Sequence, residues 1–311
     1  MRLCLSLNTM SDIVYYGSVK CSKETATGKE CRNKAYWLSF NSYVCGVHSK
    51  SDEDRIALAK NPNAKADKGK ALAERQILVE KEAKRNREKG YIGNVICSKI
   101  RMMKEVEHFD GYLKVFPNYK HQNRIDGFGC MSLSPKAMGP IDHGQKGLPI
   151  ALNLENMWQG SKCFPHETGE DNYPAPEFYE SRLAMYNDPE PHRHKLFLDG
   201  THAKGNIPNY SVWIDKHGYE TFLKYREARQ IYCHFYELIA KDSEDFLKLK
   251  NMINEGYNLQ ICGYDAYPVE KSLDDCYKDV SRPFGHELVL YTMLMVEEEE
   301  YPWRKFQTIT F

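Results

Sequence analysis

Apolar positions along the chain follow two different rhythms. Between residues 222 and 239, Phe222, Tyr225, Ala228, Ile231, Tyr232, Phe235, Leu238 and Ile239 recur three and four apart. That spacing is one face of an α-helix. A second helix is predicted over 246–253, with Gly256 just past its end as a stop. Residues 286–296 predict a final apolar helix, and 177–185 a short one. Residues 71–81 are rich in strong helix formers and run toward Gly90, a helix stop. The alternation over 111–116 reads as a strand, and 258–263 as a short buried strand. Residues 127–135 read as a Gly-bounded strand or loop. Residues 134–150 (Pro135, Gly139-Pro140, Gly144, Gly147) and 165–176 read as loops. Helices outnumber strands and no regular βαβ alternation appears, so the expected class is α+β, mixed and helix-rich.

Composition narrows the picture. The chain has 311 residues, formal net charge zero and 41% apolar content, enough for one large globular domain with a small appendage or for two domains. Neutral balance argues against nucleic-acid binding by bulk charge, though local basic patches remain open. No apolar run approaches the roughly 18 residues that would span a membrane. The start is too short and too polar downstream for a secretory signal. Ten cysteines are too sparse for a secreted disulfide scaffold. Cys97, Cys130, Cys163, Cys233, Cys262 and Cys276 read as reduced, mostly buried thiols, and the expected setting is intracellular: cytoplasm, nucleus or virion.

The remaining cysteines change the domain reading. Cys21, Cys31, Cys45 and His48 have the spacing C-x9-C-x13-C-x2-H. Three thiolates and an imidazole suit tetrahedral zinc, and C-x2-H is a common half-site. With all four positions filled by protein, the zinc would be structural, and it would supply folding energy that so small a segment lacks. The expected organisation is a zinc module over 1–50, a charged helical linker over 51–90, solvated rather than phosphate-binding, and an α+β domain over 91–311.

Candidate chemistry concentrates in residues 153–164. Glu155, Trp158, Gln159 and Lys162 stand at offsets 0, 3, 4 and 7, so one helix would carry all four on one face. A mixed polar stripe with an indole suits a cleft; the plainer alternative is a surface helix with a Glu–Lys pair and a half-buried tryptophan. Asn153 is a favoured N-cap residue, which puts Glu155 in the first turn, where a carboxylate stays charged. Such a carboxylate suits stabilisation of a glycosyl cation, or attack on it. Other candidates are the basic cluster His192, Arg193, His194 and Lys195, the helical Arg229, Asp265 just past a strand end, and His286 at the start of the last helix. Each has an ordinary alternative: exposed loop, surface charge, turn former or helix cap.

The run Glu155-x-x-Trp158-Gln159-x-x-Lys162-Cys163-Phe164 resembles the E-H-x-x-Q-x-x-K-F helix of the NADAR (YbiA-like) N-glycosidases, and residues 128–135 look like that family's upstream strand and loop. Asn156 stands where the family has histidine. The family cleaves N-glycosidic bonds in ribose-phosphate compounds and ADP-ribosylated guanine. The resemblance implies a catalytic carboxylate at Glu155 and neighbouring polar positions at Gln159 and Lys162. The expected function is therefore an N-glycosidase-like hydrolase acting on a nucleotide, an ADP-ribosyl group or a modified nucleobase. Asp265 would be a second acid, and Trp158, His192, Arg193, Arg229 and His286 substrate contacts. The alternatives are a non-enzymatic zinc-module protein, viral structural or associated with DNA or RNA, and another DNA base-modifying enzyme.

Overall fold

A computed structural model describes residues 14–50, 53–61, 64–101, 104–194, 207–309 and 311. The chain divides into two compact units, Met1–Glu74 and Arg75–Phe311. Helices and sheets are mixed, an α+β architecture. No helix is long and apolar enough to cross a membrane.

The small unit holds a three-stranded antiparallel sheet, ordered β2 (Ser42–Val44), β1 (Trp37–Ser39), β3 (Ile56–Ala57). The two-residue turn between β1 and β2 puts Phe40 and Asn41 at φ 45° and 61°, the left-handed backbone that tight hairpins demand. Its apolar cluster is only Cys21, Cys31, Val44 and Cys45, with Trp37 against them.

Helix α1 (Ala64–Glu88) begins in the small unit's span and ends in the large one. Its second half departs from the expected solvated linker. Val79, Ala83 and Asn86 are buried. Asn86 donates from Nδ2 to the Gly256 carbonyl (2.8 Å) and to Asn258 Oδ1 (3.2 Å). The Tyr257 hydroxyl donates to Glu80 (2.8 Å). A buried amide with two acceptors is a fixed contact, so this end of α1 belongs to the large unit.

The large unit is built on a parallel four-stranded sheet, ordered β4 (Val95–Lys99), β10 (Asn258–Gly263), β5 (Tyr112–Phe116), β6 (Phe128–Gly129). Every residue of β10 is buried, as expected of a strand covered on both faces. Its register sets Leu259 beside Val95 and Leu113, and Gly263 beside Lys99. A smaller antiparallel sheet joins β7 (Lys162–Cys163), β8 (Tyr210–Ile214) and β9 (Glu220–Leu223). The amphipathic helix expected over 222–239 is α4 (Tyr225–Ala240), and Phe222 instead lies in β9. Helices α5 (Glu244–Asn254) and α7 (His286–Met295) lie close to the expected spans, and α7 packs across β4 and β10. The core joins residues of β4, β5, β10, α4, α5 and α7 with α2 (Leu154–Gly160).

Candidate functional site

Helix α2 opens as the sequence suggests. Asn153 is its N-cap, with Oδ1 accepting from the Asn156 backbone N–H at 2.8 Å, and Glu155 lies in the first turn. The helix ends at Gly160, however, and Lys162 is the first residue of β7. The offset of seven therefore does not run along one helix. The four groups still meet, because the chain folds back after Ser161. Gln159 Nε2 donates to Glu155 Oε1 (3.1 Å), Lys162 Nζ donates to Gln159 Oε1 (3.3 Å), and the Lys162 ammonium sits 4.6 Å from the centre of the Trp158 ring.

Lys162 is intermediate in exposure as a residue, yet its ammonium is enclosed. Burial brings it down to about 8, against the favourable charge of Glu155 and with the help of the Arg193 charge. The Trp158 ring lies 5.5 Å from that of Tyr232 on α4. Burial raises the Tyr232 phenol well above its usual value, and the charges of Glu155 and Glu287 add to that. Tyr232 thus feels carboxylates from two separate elements.

The second carboxylate group sits at the carboxyl ends of the parallel strands, the usual place for ligand clefts in open sheets of this kind. Asp265 follows β10. Its carboxyl is raised, first by burial and then by the Glu287 charge, while Lys99, His286 and Arg193 oppose the shift. Glu287, in the first turn of α7, is 1% exposed. Two glycines make room for it. A Cβ at Gly263 would lie 1.9 Å from Glu287 Oε1; one at Gly285 would lie 3.1 Å from Glu287 Oε2 and 3.2 Å from Asp265 Cβ. Glu287 Oε2 lies 3.2 Å from His286 Nδ1, but it accepts no well-directed hydrogen bond among the described residues. His286 Nε2 donates to the Pro117 carbonyl (2.8 Å), just past β5. Lys99 Nζ donates to the Tyr267 hydroxyl (2.5 Å).

The Arg193 charge adds a lesser effect at both Lys162 and Asp265. Arg193 is exposed, at the end of a segment pinned to α2. Asn156, wholly buried, does the pinning. Its Nδ2 donates to the carbonyls of Asp188 and Glu190 (2.9 Å each), and its Oδ1 accepts from the His192 backbone N–H (3.0 Å).

Other expected contacts are placed differently. Arg229 is 2% exposed, and its terminal nitrogens donate to the carbonyls of Tyr277 and Arg282. It ties α4 to the chain before α7 and offers nothing to a phosphate. His192 spends both ring nitrogens, on Asp188 Oδ2 (3.0 Å) and the Arg193 carbonyl (3.1 Å). Lys195 lies outside the described residues. Glu287, Lys99 and Tyr232 are members that the sequence reading missed. For Glu287 the available signal was the glycine on either side in space, Gly263 at a strand end and Gly285 before a helix.

In the small unit, Cys21, Cys31, Cys45 and His48 form a cluster whose ligating atoms all lie within 4.8 Å of one another. His48 Nδ1 is 3.2 Å from Cys21 Sγ and 3.7 Å from Cys45 Sγ, and Cys31 and Cys45 sulfurs are 3.9 Å apart. The three thiols are buried. Burial works against ionising Cys45, but the backbone N–H groups of His48 and Val47, with the Asn33 amide and the Cys21 thiol, bring it to about 7. The cluster could bind a metal ion, and its donor set suits one.

Comparison with known proteins finds no match: no family model, no curated protein and no solved structure corresponds to this chain.

Proposed function

We propose that the large unit is an N-glycosidase-like hydrolase acting on a nucleotide, an ADP-ribosyl group or a modified nucleobase. The observation that supports this reading is the file of rings from Trp158 through Tyr232 and Tyr236 to His286, with neighbouring centres 5.5, 6.4 and 6.2 Å apart, which ties the α2 stripe to the start of α7, beside Glu287. Cleavage of a glycosidic bond builds positive charge at the sugar carbon, which a fixed carboxylate stabilises; Glu155 takes that role. The departing base needs a proton, and Asp265 holds one to higher pH than an ordinary carboxyl, as a general acid must. Arg193 and Lys162 supply cationic donors for a phosphate. Trp158, beside Tyr232, offers a face for a base. A structural zinc at the Cys3His cluster would fold the small unit. A nucleotide substrate and unpaired thiols at all nine described cysteines accord with an intracellular enzyme. The test is to follow base release from ribosylated and ADP-ribosylated nucleobases. Glu155→Gln should slow release by about 10²–10³-fold, the cost of removing one such charge-stabilising group; equal turnover by the variant would remove Glu155 from the chemistry.

A second reading, a nucleic-acid-associated factor, is favoured by one surface. A groove in the small unit is lined by Lys20, Lys29 and Arg32, with Thr25, Thr27 and Asn33 and a single acid, Glu30. Three phosphate contacts on a single strand imply a salt slope of about −2, so affinity should fall about 20-fold between 50 and 200 mM salt. Oligonucleotide binding indifferent to Lys20→Glu, Lys29→Glu and Arg32→Glu together would sink this reading.

A further inference from the structure

The glycosidase reading leaves unused a second set of ligating side chains, packed against the backbone of α2. Glu167 and His194 are 0% and 1% exposed, and His166 beside them is exposed. His194 Nε2 stands 2.7 Å from Glu167 Oε1. The other ring nitrogen, Nδ1, lies 2.9 Å from the Gln159 carbonyl. A carbonyl oxygen only accepts, so Nδ1 carries a hydrogen. A neutral imidazole has one N–H, and Nε2 then turns a lone pair toward a carboxylate oxygen. Two acceptors at 2.7 Å in a dry interior repel each other unless a cation lies between them, either a proton or a metal ion.

The surroundings favour the metal. Glu167 is fixed from behind, its Oε2 accepting from the Phe164 backbone N–H at 3.0 Å. His194 is fixed from behind by the Gln159 carbonyl. Outer hydrogen bonds of this kind orient metal ligands and set the imidazole tautomer. His166 supplies a third donor, and the ligating atoms of all three lie within 4.8 Å of one another.

We propose that His166, Glu167 and His194 bind a divalent transition-metal ion, with two imidazoles and one carboxylate as ligands. Metal–nitrogen bonds of about 2.1 Å put ligands about 3.4 Å apart in a tetrahedral shell. Glu167 and His194 stand closer than that, so entry of the ion parts them by about 0.7 Å, and the exposed His166 swings in by a change of side-chain rotamer, leaving a position open to water on its side. The donor set contains no sulfur, so it differs in kind from the Cys3His cluster and suits zinc or another borderline metal. The ion would clamp the chain at His194 to the turn Pro165–Glu167 and so hold the adjacent Arg193 in place. The site does not depend on the glycosidase reading; it stands on its own ligands.

The experiment is metal titration of the full chain. Stripped protein is titrated with Zn²⁺ and, separately, with Co²⁺, and bound metal is counted by mass spectrometry. Wild type should take up two equivalents. Cys45→Ser should lose the near-ultraviolet thiolate-to-cobalt band and keep one equivalent with weak visible absorption. His166→Ala should keep the thiolate band, and the sulfur-free equivalent should bind at least tenfold more weakly, consistent with the cost of disturbing a metal shell. Because His166 is exposed, an unchanged melting temperature of metal-free His166→Ala shows that the fold survives. One equivalent that vanishes with Cys45→Ser, or a second that binds His166→Ala as tightly as wild type, overturns the proposal and leaves a proton between Glu167 and His194.

Discussion

Asp265 and Glu287 share a small space over the bare Cα of Gly285, and that crowding sets how Asp265 responds to pH. Its carboxyl is raised above the ordinary 3.8 by burial and by Glu287, with Lys99, His286 and Arg193 opposing. A raised folded-state value means that the charged form is disfavoured on folding. The contribution of the group is therefore fully present below pH 3.8 and is lost as pH rises through the folded value. Asp265→Asn, neutral at every pH, should melt higher than wild type at pH 7, and the gap should close as pH falls toward 3.8. A gap that stays constant over that range in thermal scans would show that the carboxyl is unshifted. The sequence allowed Asp265 to be picked out because acids past strand ends tend to line clefts. It did not single out Glu287 or Lys99, whose roles come from neighbours far away in sequence. The same limit misplaced Arg229: helical spacing put its side chain on a face, but only the fold shows that two carbonyls occupy it.

At the scale of elements, the most informative piece is the shortest helix of the site. Helix α2 was legible in its cap and its first turn, because an N-cap is a local chemical signal. Its end was not, since the chain leaves the helix at Gly160 to pair β7 with β8, a choice made by a partner some fifty residues on. The strands β7, β8 and β9 went unread for the same reason, whereas β10 announced itself as a compact apolar run. Asn156 now has a physical role where the resembling family carries histidine: its amide latches residues 188–192 to α2 through three hydrogen bonds. Asn156→Ala leaves those buried partners unsatisfied and should cost about 2–4 kcal/mol. It should also speed trypsin cleavage at Arg193. If neither the melting temperature nor the cleavage rate moves, Asn156 does not hold this segment.

For the whole molecule, class was legible and topology was not. The parallel sheet was hidden because its strands do not alternate with regular helices: β10, between β4 and β5, comes from more than 140 residues later in the chain. In the small unit, the clustering of Cys21, Cys31, Cys45 and His48 was legible from their spacing alone. Tryptophan placement has an optical consequence. Trp213 and Trp303 are 4% and 2% exposed within the core. Trp158 alone among the large unit's tryptophans lies beneath an ammonium, at Lys162, and beside a phenol, at Tyr232. Its fluorescence is therefore a built-in gauge of this corner of the fold: a ligand that displaces the ammonium from the indole changes the light this one residue emits, while Trp37, Trp213 and Trp303 supply a steady background.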